Sequence, residues 1–172
     1  MFSRILTKLI DEAILPAVTL LATKVVSTIL LIKYLEIPLA DGTNYFSVYF
    51  SNQADFVKVN SYSTISMAVV IFLGALLFLV KSRFFHETHI TPANATKVAG
   101  MGLNRFIKTS MDVYSEGSVW LMFSLLLSLI LGIQVYYQIV YPLSFAISMS
   151  GSIFLVLILV SDVEREVTRK YA

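Results

Sequence analysis

One basic residue stands in the middle of a long apolar run, and it is the first candidate for chemistry in this chain. Lys24 lies near the centre of the run that extends from about residue 13 to residue 35. A lysine at the centre of a membrane-spanning helix costs about 2.5–3.5 kcal/mol on insertion scales, so such a residue is by default a functional hypothesis. Thr23, Ser27 and Thr28 share a flank of the same predicted helix with Lys24, and the four form a candidate intramembrane polar site.

The sequence offers Lys24 no acidic partner within the apolar runs. Acidic residues occur only at their boundaries, for example Glu12, Glu36 and Asp162. Three interpretations therefore stay open. The lysine stem extends to the inner membrane surface, or the ammonium pairs with an acid, lipid or carbonyl of another subunit, or it lines a path for an anion or substrate.

A pair of histidines is the next candidate for chemistry. His86 and His89 are three residues apart, so on a helix they would share a face and could ligate a metal. The zincin motif needs four-residue spacing and no third ligand is near in sequence, so we expect a solvated stretch beside Arg83 instead. The chain has no cysteine and no cofactor or nucleotide motif. We predict no catalytic residues, no cofactor and no metal site.

Small residues recur every four positions in the last two apolar runs. This spacing lets helix backbones approach closely, and hydroxyl hydrogen bonds then supplement packing in lipid. The two runs are joined by only a few residues, so we predict an antiparallel helical hairpin whose small-residue tracks face each other, with Leu131 facing lipid. The candidate helix-packing residues are Ser124, Ser128 and Gly132 in one track and Ser144, Ser148 and Ser152 in the other.

Four apolar runs must position all of these residues. They lie at approximately 13–35, 63–80, 118–137 and 143–160, and each is about 18–23 residues long, enough to cross about 30 Å of hydrocarbon as a helix. The chain is 57% hydrophobic and 14% charged, which is more apolar than one soluble core requires. We predict an all-α membrane protein with one four-helix transmembrane domain over residues 1–172.

The distribution of basic residues predicts an orientation. Ten of the 13 lysines and arginines fall on one side of a chain that crosses four times, before the first run, between the second and third, and after the fourth. Because basic loops are retained in the cytoplasm, we expect both termini to be cytoplasmic. The predicted location is the cytoplasmic (inner) membrane.

Two further helices are predicted on the same side. Apolar residues recur at helical spacing before residue 13, which indicates an N-terminal amphipathic helix that lies in the interface or extends the first span and bends near Pro16. Thr91 and Pro92 have the pattern of an N-cap followed by proline at the first helical position, so a short helix is expected from Pro92.

The opposite side carries one long connection, from Glu36 to Tyr62. Residues 43–50 and 56–60 are two β-prone runs around the polar stretch 51–55, a pattern typical of a short β-hairpin or an aromatic flap. An isolated hairpin is marginal in water, so this segment should rest on the bilayer, on its own helices or on another subunit.

These observations favour a non-catalytic integral-membrane subunit or scaffold of a larger membrane protein complex. The expected partners are the lipid bilayer and other membrane subunits or further copies of the chain, and no nucleic acid. The alternative is a small homo-oligomeric channel or transporter whose path is lined by Lys24 and the Thr/Ser flank of the first helix. A lipid-active enzyme would need reactive groups supplied by another chain.

Overall fold

The computed structural model describes residues 2–40, 48–85, 90, 92–103, 107 and 109–171; within the helices, the side chains of residues 2–6, 8, 9, 83–85, 92, 94, 110, 111, 165–167 and 169–171 are not described. Five helices occur in this part of the chain: α1 Phe2–Tyr34, α2 Gln53–Phe85, α3 Pro92–Gly100, α4 Ser110–Tyr136 and α5 Pro142–Tyr171. The protein is thus all-helical throughout the described residues, apart from one isolated β-bridge.

Four of these helices are long and apolar enough to cross a membrane, by length and composition. The spans are Ile10–Tyr34, Gln53–Ser82, Asp112–Tyr136 and Pro142–Glu164. The predicted number of membrane-length helices is confirmed, and by length and composition these four helices are compatible with a helical membrane protein. We call the end where α1 and α4 finish the turn end, and the end that carries both chain termini the termini end.

The first helix is longer than its apolar run. α1 begins at Phe2 and continues without interruption through Pro16 to Tyr34, so the N-terminal amphipathic segment extends the first span. This is the extension that the sequence allowed as its second arrangement, and the bend near Pro16 stays a prediction. The short helix predicted from Pro92 is also confirmed. Its expected cap, Thr91, lies outside the described residues.

The second helix begins ten residues before the predicted span. Asn52 Oδ1 accepts a hydrogen bond from the Ala54 amide at 3.0 Å, and the Asn52 carbonyl accepts the first helical bond from Phe56 at 3.2 Å. Asn52 is therefore an N-cap, and it starts the helix inside the segment that the β-prone residues assigned to a hairpin. The predicted second strand at residues 56–60 is wrong, because these residues form the second turn of α2.

Little of the other half of the predicted hairpin is described. Leu39 and Phe50 form an isolated antiparallel bridge, and the Phe50 ring packs edge to face on Phe56 with centroids 5.6 Å apart. Residues 41–47, which include most of the first β-prone run, lie outside the described residues. The described part of this connection is thus a single bridge resting on the start of α2.

α2 is the central helix and packs against α1, α4 and α5. Aromatic rings lie over glycines at its contacts, where the missing side chain makes room for a ring. Trp120 covers Gly74, Phe78 covers Gly117, and Phe72 covers Gly151; a Cβ on Gly151 would lie 1.6 Å from the Phe72 ring. The buried core also contains Ile71, Ala75, Leu127 and Leu131.

Candidate functional site

Lys24 extends from α1 toward α2 and meets four oxygen atoms there. Its Nζ lies 2.6 Å from Thr64 Oγ1, 2.7 Å from Asn60 Oδ1, 2.8 Å from Ser63 Oγ and 3.1 Å from the Asn60 carbonyl oxygen. We call this set, formed by Asn60, Ser63 and Thr64, the oxygen cage. An ammonium has three N–H donors, so the cage offers more acceptors than Lys24 can use with separate hydrogen bonds.

Each side chain of the oxygen cage is oriented by a second partner. The hydroxyls of Ser63 and Thr64 donate to the Asn60 carbonyl at 3.1 and 2.6 Å, so their lone pairs are directed to Lys24. The Asn60 side-chain amide donates to the Ile139 carbonyl at 3.0 Å, which directs Oδ1 toward the ammonium. The oxygens are therefore held in place by the protein itself and not only by Lys24.

The same stretch of α2 holds the connection between α4 and α5. Ser61 Oγ accepts the backbone N–H of Tyr141 at 2.8 Å, next to the bond between Asn60 and Ile139. The connection needs this support because Gln138 has a left-handed backbone, with φ of 59°. Asn60 thus links α1, α2 and the α4–α5 turn through one side chain at the turn end.

In the structure, the residues of the polar site predicted on α1 do not share the same partners. Lys24 faces α2, whereas Thr23 Oγ1 donates to the Thr19 carbonyl at 2.7 Å and Ser27 Oγ donates to the Thr23 carbonyl at 2.6 Å. Thr28 is half-buried. The hydroxyls of Thr23 and Ser27 are satisfied within their own helix, so they do not help to hold the ammonium.

Sequence reasoning missed Asn60, Ser63 and Thr64. These residues are spaced i, i+3, i+4 at the start of an apolar run, which places them on one helix face. The spacing was a usable signal for a polar site. The composition of residues 56–60 favours a strand instead, and in an extended chain Asn60 and Ser63 point to opposite faces, so the shared face appears only when this segment is helical.

The small-residue tracks of α4 and α5 contact each other through hydroxyl groups. Ser124 Oγ and Ser152 Oγ are 2.6 Å apart, and Ser128 Oγ lies 2.9 Å from both Ser148 Oγ and Ser152 Oγ. All four serines are buried. Because apolar packing alone gives little preference in lipid, these bonds contribute to the register of the two helices.

The other members of the predicted tracks have different surroundings. Ser144 is buried, and its hydroxyl has no hydrogen-bond partner among the residues that the structure describes. Gly132 lies against Phe145, but a Cβ there would still be 3.4 Å from the ring, so this contact is not especially tight. Leu131 is fully buried in the core, so its predicted lipid-facing position is wrong.

At the termini end, two polar contacts join α2 to the neighbouring helices. Lys81 and Glu116 form a salt bridge of 2.6 Å, and Ser82 Oγ donates to Asp162 Oδ2 at 3.2 Å. The lysine side chain is 48% exposed, so the ion pair adds little stability. These contacts orient α4 and α5 and do not assemble a reactive centre.

The outer surface of α1, away from α2, carries a shallow groove. Its floor contains small side chains that repeat every four residues, and larger apolar side chains form its edges. We call it the α1 groove, and it is lined by Val18, Thr19, Ala22, Thr23, Val26, Ser27 and Leu30. No other described helix covers this surface of α1.

His86 and His89, for which no metal site is predicted, lie outside the described residues. Within the described ranges, no three His, Cys, Asp or Glu residues are grouped so that they could hold a metal ion. Comparison with protein-family models, with curated proteins and with solved structures finds no match.

Proposed function

We propose that the chain is a non-catalytic integral-membrane subunit or scaffold of a larger membrane protein complex, bound to its partner through α1. The observation that carries this proposal is the unequal burial of the helices. Only 11% of the apolar stretch of α1 is buried inside the protein, against 39% for α2. α1 is attached along one side and leaves the rest of its surface for lipid or for another protein.

The α1 groove makes this free surface suited to another helix. Small side chains at four-residue spacing let two helix backbones approach, and packing then supplies the attraction that apolar surface alone does not give in lipid. Thr19, Thr23 and Ser27 already donate to carbonyls of their own helix. The groove therefore needs no charged or donating partner, and we propose an apolar transmembrane helix with small residues as its occupant.

The proposal is tested by purification in a mild detergent, followed by identification of the proteins that remain bound. Stoichiometric foreign membrane subunits support it. A purified oligomer that contains only identical copies of this chain and transports a solute in reconstituted vesicles would favour the alternative, a homo-oligomeric channel or transporter.

Neighbouring valines provide a matched pair of variants for the α1 groove. Val26 lines the groove and is 53% exposed, whereas Val25 is 58% exposed and lies about 100° around the helix. Val26→Phe should fill the groove and reduce partner recovery severalfold, while Val25→Phe should leave it unchanged. Equal recovery with both variants would place the partner elsewhere.

A further inference from the structure

The oxygen cage has the composition of a binding site for a monovalent cation. It presents two hydroxyl oxygens, one side-chain amide oxygen and one backbone carbonyl oxygen within 3.1 Å of a single positive charge, and the carbonyl oxygen is shared with the Ser63 and Thr64 hydroxyls. Neutral oxygens of this kind replace the hydration shell of potassium in membrane filters, whereas calcium sites rely on carboxylates. Among the described residues, no carboxylate is within hydrogen-bond distance of Lys24 Nζ.

We propose that the oxygen cage is a monovalent-cation site that Lys24 fills with its tethered ammonium, and that free potassium or ammonium binds there when the lysine side chain is removed. The ligand class follows from the charge and the donor set. A monovalent cation is bound by neutral oxygens without a countercharge, and α2 supplies four such oxygens.

The orientation of the cage supports binding without Lys24. The hydroxyl hydrogens of Ser63 and Thr64 are used by the Asn60 carbonyl, and the Asn60 amide hydrogens face Ile139. Removing the lysine leaves these bonds intact, so the lone pairs stay directed at the vacated position. With Lys24 in place, Ser63 and Thr64 are buried. This inference does not depend on the proposed partner of α1.

Two substitutions of Lys24 distinguish ion binding by the oxygen cage from the loss of the lysine charge. Lys24→Ala removes the ammonium and its stem and leaves space for an ion, whereas Lys24→Met removes the charge but keeps a chain of similar length. Thermal unfolding of the full chain in detergent would be followed in potassium, ammonium and choline chloride at equal ionic strength. Choline is too large for the cage and serves as the reference cation.

We expect potassium or ammonium to raise the Tm of Lys24→Ala by about 3–6 °C over choline at concentrations about tenfold above Kd, with saturation. Wild type and Lys24→Met should show no such difference. Adding Thr64→Val to Lys24→Ala removes one cage oxygen at similar volume and should weaken the response severalfold.

Three results would overturn the proposal. Lys24→Ala melts at the same temperature in all three salts, or wild type responds as strongly as the variant, or Lys24→Ala fails to fold even in potassium and ammonium. The last result counts against it because these ions are predicted to replace the missing ammonium.

Discussion

Asn60 is the residue through which three parts of the bundle are joined, and replacing it gives the sharpest test of the site. Asn60→Ala removes the 2.7 Å bond from Lys24 to Oδ1 and the 3.0 Å bond from Nδ2 to the Ile139 carbonyl. A hydrogen bond to a charged group contributes about 1.5–3 kcal/mol and a neutral one about 0.5–1.5 kcal/mol, so the loss is about 2–4.5 kcal/mol. For a chain of this size, that lowers Tm by about 4–18 °C.

The assay is thermal unfolding of the purified protein in detergent with choline as the cation. Ser66→Ala is the control, because the Ser66 hydroxyl lies on the same helix and donates only to the Tyr62 carbonyl at 3.1 Å. The Tm of Ser66→Ala should differ from that of wild type by less than about 2 °C, because substitutions at exposed hydroxyls usually change stability by less than about 0.5 kcal/mol. If Asn60→Ala and Ser66→Ala melt alike, Asn60 does not join the three segments.

A double-mutant cycle with Lys24→Met isolates the contact between Lys24 and Asn60. Residues that contact each other usually show coupling of about 0.5–3 kcal/mol, whereas distant ones add. The Asn60→Ala effect should therefore be smaller in the Lys24→Met background. Additive effects would show that Asn60 acts only through its bond to Ile139.

Two further predictions concern packing and orientation. Gly151→Ala should destabilise the protein because its Cβ would lie 1.6 Å from the Phe72 ring, whereas Gly132→Ala, with 3.4 Å to its nearest ring atom, should be neutral or stabilising in the same unfolding assay. Equal Tm changes would mean that the Phe72 ring moves aside freely. Single cysteines at Ser51 and Asn94 should label from opposite sides, Ser51 from outside and Asn94 only after permeabilisation; equal access from outside would refute the orientation with both termini in the cytoplasm.

The number of spanning helices could be predicted because it depends on local properties of the chain. A run of about 20 apolar residues forms a helix wherever water is excluded, since every backbone group must then be bonded within the segment. The orientation with cytoplasmic termini is likewise inferred from a local property, the distribution of basic residues along the chain, and it stays a prediction.

The start of α2 could not be predicted from residue preferences alone. Residues 56–60 favour a strand by composition, but the Asn52 cap and the burial of Val59 on the inner face of the bundle favour a helix. Preference for strand is weak compared with a formed cap and a buried face, so tertiary structure decided the outcome.

The environment of Lys24 is the clearest case of information that only the fold supplies. The sequence by itself determined that a lysine lies in an apolar helix beside hydroxyl residues and has no acidic partner within the apolar runs, and it left open whether the ammonium reaches the membrane surface, pairs with another subunit or lines a path. The actual partners are 36–40 positions away, on a different helix. A helix presents different residues on its two sides, and the choice of side depends on packing against the rest of the chain. The sequence therefore identifies the charged residue, and the tertiary structure determines which oxygens surround it.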